Sequence, residues 1–177
     1  VCLAKAGRYA LRSVGLQSAK KGTKVLDLYI ANKNYSSWSL RPWMLLNVLG
    51  IAFTEHLTPF DGHNNFQRFK PFSPNGKVPC LHDAGLVVWD SLAIIEYLAE
   101  RHEMVWPQGL AARTYARSAA SEMHAGFDSV RGQCPMICSA RFQLRSVSAG
   151  LDRDLRRLDD LFREGLLRFG GGFLTGE

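Results

Sequence analysis

Apolar residues along this chain follow two periods in turn, one short and strand-like, the other helical. Val25-Leu26-Asp27-Leu28-Tyr29-Ile30 is a short apolar run with β-branched and aromatic side chains, which predicts a buried strand. Trp43, Leu46 and Leu49, with Met44, Leu45 and Val48 beside them, predict an apolar helix closed by Gly50 as its C′ residue. Ser39 is the expected N-cap of that helix, with Pro42 tolerated in the first turn, where N–H groups have no intrahelical partner. Residues 52–57 predict a second strand and residues 64–69 a short helix. Pro74-Asn75-Gly76-Lys77-Val78-Pro79-Cys80-Leu81 reads as a turn entering an apolar strand, with Pro79 at a position that suits a sheet edge or a cis bond. Leu86-Val87-Val88-Trp89 predicts another strand, ending at Asp90-Ser91, which caps a helix over 92–100.

Beyond Trp106-Pro107-Gln108-Gly109 the pattern becomes helical throughout. Residues 111–130, rich in Ala with Ser, Glu and Met, predict one long helix. Residues 151–162 space apolar side chains at i, i+4, i+7 and i+11 with charges between, an amphipathic helix with a solvated charged face. The stretch 132–150 between them reads as a connector. The chain's 177 residues suit one large or two small domains and can bury a substantial core.

Two of the expected helix starts carry the candidate chemistry. Ser36-Ser37 precedes the first apolar helix and Asp90-Ser91 precedes the third, so both lie at the positive end of a helix dipole, where anions are stabilised. A hydroxyl beside such an end favours a thiolate, and a free thiol with a pKa of about 8.5 is mostly protonated at neutral pH without that help. Serine before a helix is by itself as readily a cap or a turn residue. Tyr35 is a second candidate donor, ranked below Ser36.

The order strand, helix, strand, short helix, Val-Pro strand, strand, Asp-Ser helix resembles the thioredoxin-like domain of the glutathione transferases over about residues 25–103. Ser36-Ser37-Trp38-Ser39-Leu40-Arg41 falls in the register of the Ser-Ser-Cys-Ser-aromatic-Arg motif of the zeta class, so the chain resembles a serine-type bacterial enzyme near that class. Trp38 stands where the zeta cysteine would be, and Asp90 where Gln or Glu usually precedes the serine. The resemblance implies an α/β thioredoxin-like domain with a mixed four-stranded sheet over 24–104, followed by a partial all-helical domain over 105–177 that stops short of the family's further helices. It implies glutathione as co-substrate, with Ser36 as catalytic residue and Ser37 next to it. Val78 and Pro79, joined by a cis bond, would pair with the cysteinyl amide, Asp90 would hold the α-ammonium, and Ser91 the γ-glutamyl carboxylate. Trp38 would wall the electrophile pocket or pack in the core. Met123, His124 and Phe127 would approach the site or form a core stripe with a helix-surface histidine. A homodimer, an electrophilic small-molecule substrate and glutathione-dependent isomerisation of a maleyl-type diacid are further implications. A non-catalytic ligand- or protein-binding module of the same fold is the alternative.

The net charge of +6 is not spread evenly. Lys5, Arg8, Arg12, Lys20, Lys21 and Lys24 precede the first acidic residue, Asp27, leaving 16 basic against 16 acidic side chains in the rest. A neutral remainder removes the electrostatic argument for a nucleic-acid partner. Residues 1–23 form a basic, acid-poor extension whose composition suits disorder, a targeting peptide of the mitochondrial kind, or translated upstream sequence. No window approaches the roughly 18 apolar residues of a membrane span, so no membrane partner is expected and a cytoplasmic location is. Cys2, Cys80, Cys134 and Cys138 lack metal-ligand spacing, so no metal is expected and free thiols are. With no cysteine in the Ser36 region, thiol-disulfide exchange is disfavoured.

Overall fold

A computed structural model describes residues 25–176; the basic extension at 1–23 lies outside the described residues. The first half builds a four-stranded sheet from β1 (Leu26–Ile30), β2 (Phe53–Leu57), β3 (Cys80–Asp83) and β4 (Leu86–Trp89), in the order β2-β1-β3-β4. Only β1 and β2 run parallel, joined through α1 (Ser37–Val48); β1–β3 and β3–β4 are antiparallel. The short α2 (Asn65–Phe69) and then α3 (Ser91–Ala99) complete this part, within a residue or two of the expected bounds.

Side-chain alternation along β1 sets the two faces. Leu26, Leu28 and Ile30 are buried and pack with Leu46 of α1, Leu81 of β3, and Ile94 and Leu98 of α3 in one continuous apolar core. On the other face Tyr29 stacks on His56 of β2 with ring centroids 4.5 Å apart and on Phe72 at 4.6 Å. Asp27 on that face accepts from His56 Nε2 at 2.7 Å. A strand with one apolar and one polar-aromatic face fixes its register, since a one-residue slip would exchange them.

The start of α1 differs from expectation. Its N-cap is Ser36, whose Oγ accepts from the Ser39 backbone N–H at 3.3 Å, and Ser39 lies inside the helix and is buried. The helix therefore begins three residues earlier, because Ser36 reaches the third N–H of the turn and satisfies a donor that would otherwise be orphaned. Pro42 then sits past the first turn, where it has no N–H to offer the Trp38 carbonyl four residues back. Gly50 takes φ 64°, the left-handed C′ conformation expected of it.

The second half is helical: α4 (Leu110–Ala125), α5 (Asp128–Gln133) and α6 (Ala149–Phe169), after a single 3-10 turn at Glu103–Val105. The long helix expected over 111–130 is two helices. Gly126 is extended and Phe127 takes φ 60°, which buries the Phe127 ring, and Asp154 of α6 accepts from the Ser129 and Val130 N–H groups at 2.9 and 3.1 Å. A carboxylate supplied from a distant helix caps α5 and makes the break affordable. The amphipathic helix over 151–162 extends to Phe169 at its C-terminal end, and its buried stripe also departs from the expected one. Leu151, Leu161 and Gly165 are buried, whereas Leu155 and Phe162 are exposed. Side chains tie α4 to α6: Tyr115 donates to the Leu161 carbonyl at 2.8 Å and meets the Phe169 ring at 5.4 Å, and Arg157 donates to Glu122 through Nε and Nη2. Arg117 of α4 pairs with Glu96 of α3 and links the helical half to the sheet half. No helix among the described residues is long and apolar enough to cross a membrane.

Candidate functional site

Three local structures converge on one cleft of about 290 Å³. The first is the turn Pro74-Asn75-Gly76, where Gly76 takes φ 63° and lies so close to the Phe66 ring that a Cβ would collide with it. Glycine is the residue that turn accepts. It delivers Asn75, Lys77, Val78 and Pro79 to the cleft wall, and the Val78-Pro79 bond is cis, as the sequence led one to expect.

The second is the β4–α3 junction. Asp90 is the N-cap of α3 and adopts φ 79°, ψ 136°, a conformation that costs a non-glycine residue about 1 to 3 kcal/mol. Its Oδ1 accepts from the Leu92 N–H at 2.8 Å and the Ala93 N–H at 3.4 Å, while Oδ2 faces His124, another residue of the cleft wall. Ser91 follows, 1% exposed, and its Oγ is buried without a hydrogen-bond partner. A buried hydroxyl without a partner carries a desolvation penalty of about 1 to 3 kcal/mol, which an incoming polar group would relieve.

The third is the first turn of α1. Trp38 lines the cleft, with the Arg41 guanidinium stacked on its ring at 4.1 Å and that of Arg131 at 5.6 Å. Arg131 is held by the Met123 carbonyl and by Asp128. Burial pushes the Arg41 pKa down, the neighbouring Arg131 charge adds to this, and Asp90 opposes it. The helical half contributes His124, from the last turn of α4. Its Nε2 stands 3.4 Å from Asp90 Oδ2, its ring meets Trp38 edge-on at 5.2 Å, and its Nδ1 is buried with no partner.

Of the residues singled out in the sequence, the cleft unites Val78, Pro79, Asp90, Ser91, Trp38 and His124. Ser36 and Ser37 are not on its wall. Ser36 is 5% exposed, and its hydroxyl meets Ser39 Oγ at 2.8 Å; Ser39 Oγ in turn accepts from the Ala31 N–H at 3.3 Å. Ser37 is half-buried at the first helical position, and Tyr35 is 53% exposed. Phe127 is core, whereas His124 belongs to the cleft. Lys77, Asn75 and the Arg41/Arg131 pair were not foreseen. The Pro-Asn-Gly-Lys turn was a local signal for the first two, but no local signal brings Arg131 to Trp38. Among the described residues no group of three or more His, Cys, Asp or Glu could hold a metal ion, and Cys80, Cys134 and Cys138 are free thiols.

The mixed sheet flanked by helices, with a helical half after it, is the architecture of the glutathione S-transferases. Residues 35–101 match the family "Glutathione S-transferase, N-terminal domain". Solved structures similar to this chain include a diazinon-metabolizing glutathione S-transferase of the silkworm Bombyx mori, at 21% identity over 86% of this chain and 72% of that one, TM-score 0.61. A glutathione transferase homolog from Sulfitobacter, solved with bound glutathione, is 16% identical over 86% and 74%, TM-score 0.63. The theta class enzyme of Xanthomonas axonopodis pv. citri, with glutathione bound, is 23% identical over 87% and 75%, TM-score 0.58. No curated protein matches the sequence. The domain match covers residues 35–101, and the solved structures share the fold of the described chain.

Proposed function

We propose that this protein is a glutathione transferase that binds the tripeptide in the Trp38–Asp90–Ser91 cleft, stabilises its thiolate and adds it to a small electrophile. The observation that carries this reading is the α3 start, where the buried, unpartnered Ser91 hydroxyl adjoins a strained, cleft-facing carboxylate at Asp90. That pair suits an amino-acid head group: the carboxylate takes the α-ammonium, while the hydroxyl and the helix N–H groups take the α-carboxylate. Val78, on the cleft wall two residues before β3, would pair its backbone with an extended peptide. The cysteinyl sulfur then lies over the first turn of α1, where the helix dipole and the Ser36 or Ser37 hydroxyl favour the thiolate. Ser36 can serve while remaining a cap when Ser39 Oγ donates in the bond the two hydroxyls share, which leaves the Ser36 O–H free for the thiolate.

The zeta-like, serine-type assignment rests on the Ser36–Arg41 motif, and a diacid substrate, a homodimer and a cytoplasmic location are part of the same proposal. Neighbours solved with glutathione support the ligand. One observation favours a second reading, a glutathione-binding module without turnover: the peptide-binding side of the cleft is open, whereas the Ser36 hydroxyl is buried and already engaged. Calorimetry with glutathione, followed by turnover of an activated chloronitrobenzene, separates the two. Binding with turnover supports the enzyme, and binding without it supports the module. No binding would remove both. Within the enzyme reading, Ser36→Ala or Ser37→Ala should raise the pH at which bound glutathione shows thiolate absorbance, and whichever variant does so identifies the donor.

A further inference from the structure

Thiolate stabilisation leaves open where the thiol proton goes, and the α1 start offers no base: Ser36 is a cap, Ser37 a hydroxyl, and no cysteine or histidine lies beside them in the sequence. The helical half supplies one. His124 lines the cleft, its Nε2 faces Asp90 Oδ2 at 3.4 Å, and its ring rests edge-on against Trp38 in the first turn of α1. When Nε2 carries the hydrogen toward the carboxylate, Nδ1 is left as an acceptor with an open lone pair, and it is buried with no partner.

We propose that His124 Nδ1 is the general base that takes the proton from the thiol of bound glutathione. This rests on the reading of the cleft as a glutathione site. In the step the S–H bond breaks, its electron pair stays on sulfur, and an N–H bond forms at Nδ1. Asp90, already opposite Nε2, stabilises the imidazolium so formed. The thiolate then bonds to the electrophilic carbon; with an aryl chloride, chloride departs with the C–Cl electron pair, and His124 releases its proton to water. The charged groups around the ring come from every neighbouring element: Asp90 at the β4–α3 junction, Lys77 from the turn before β3, and Arg41 of α1 and Arg131 of α5 across the Trp38 ring. Lys77, Arg41 and the Asp128-paired Arg131 favour an anion at sulfur and oppose the imidazolium, whose charge Asp90 offsets.

The test uses the full chain, glutathione and an activated chloronitrobenzene, with His124→Asn and His124→Gln as independent variants. Both should bind glutathione within about threefold of the unaltered protein by calorimetry, because the base is not needed to hold the peptide. Turnover at pH 7 with saturating glutathione should fall at least tenfold, at the low end of or below the 10²–10⁴ typical of general bases. The deficit should shrink as pH passes the ordinary thiol range near 8.5, where hydroxide does the work of the base. Turnover within threefold at pH 7 would overturn the proposal, as would a deficit that is the same at every pH. A tenfold weaker glutathione affinity with unchanged saturated turnover would also overturn it, making His124 a positioning residue for Asp90. Failure of the unaltered protein to bind glutathione at all is read before any variant is made, and it removes the underlying assignment together with this one.

Discussion

The starts of α1 and α3 are built from similar residues and end in opposite states. Both place hydroxyls at a helix N-terminus beside the same cleft. At α1 the hydroxyls serve each other and the backbone: Ser36 caps the Ser39 N–H, and Ser39 accepts from Ala31. At α3 the capping is done by one oxygen of Asp90, so the Ser91 hydroxyl has no partner and the second Asp90 oxygen faces His124. A helix start whose donors and acceptors are closed on themselves contributes to stability. One that leaves a buried hydroxyl open and holds a residue at φ 79° is a place where a ligand recovers energy the fold has stored.

Four substitutions sharpen or break this contrast, in decreasing order of effect. Asp90→Ala should weaken glutathione binding by about 1.5 to 3 kcal/mol, the range of a charge-assisted contact, as read by calorimetry. It should also lower stability by about 1 kcal/mol through loss of the α3 cap. Unchanged affinity would mean that the α3 start is not the ligand end of the cleft. Ser36→Ala should lower unfolding stability by about 1 kcal/mol in urea titrations, because it removes a used cap, while glutathione affinity stays the same.

Ser91→Ala should do the reverse. Removing a buried hydroxyl with no partner should raise the stability of the free protein by about 1 kcal/mol, whereas glutathione affinity falls by about 1 kcal/mol, roughly fivefold. Equal stability losses for Ser36→Ala and Ser91→Ala would erase the difference between the two helix starts. Glu96→Gln is the smallest of the four. It breaks the partly exposed pair with Arg117 that links α3 to α4, and a change of about 0.5 kcal/mol in unfolding with no effect on glutathione binding is expected. A large loss of binding there would show that the docking of α4, and with it the placement of His124, depends on this one pair.

Much of the sheet half was legible in the sequence because its signals act over a few residues. The apolar strand runs, the Pro-Asn-Gly turn, the proline before β3 and the Asp-Ser cap are each local signals, and each is found where expected. The cap of α1 was misplaced by three residues because Ser36 and Ser39 are both competent caps. Helix length decides between them, and Ser39 is instead drawn inward to accept from Ala31 at the end of β1. In the helical half the same kind of signal failed twice. Residues 111–130 have uniform helix propensity, but a capping carboxylate from α6 and a buried Phe127 ring break the helix at a point that propensity does not mark. Along α6, the i, i+4, i+7, i+11 spacing offered Leu155 and Phe162 to the core and passed over Leu161, which is buried.

By itself, then, the sequence determined the element order of the sheet half, the proline before β3 and the carboxylate that caps α3, all set by neighbouring residues. Only the tertiary structure decided which hydroxyl of the two helix starts remains without a partner, and that His124, Arg41 and Arg131 gather around Trp38. The physical reason is that hydrogen-bond satisfaction and cleft membership depend on groups brought together from far along the chain, and no pattern of spacing records which of them will meet.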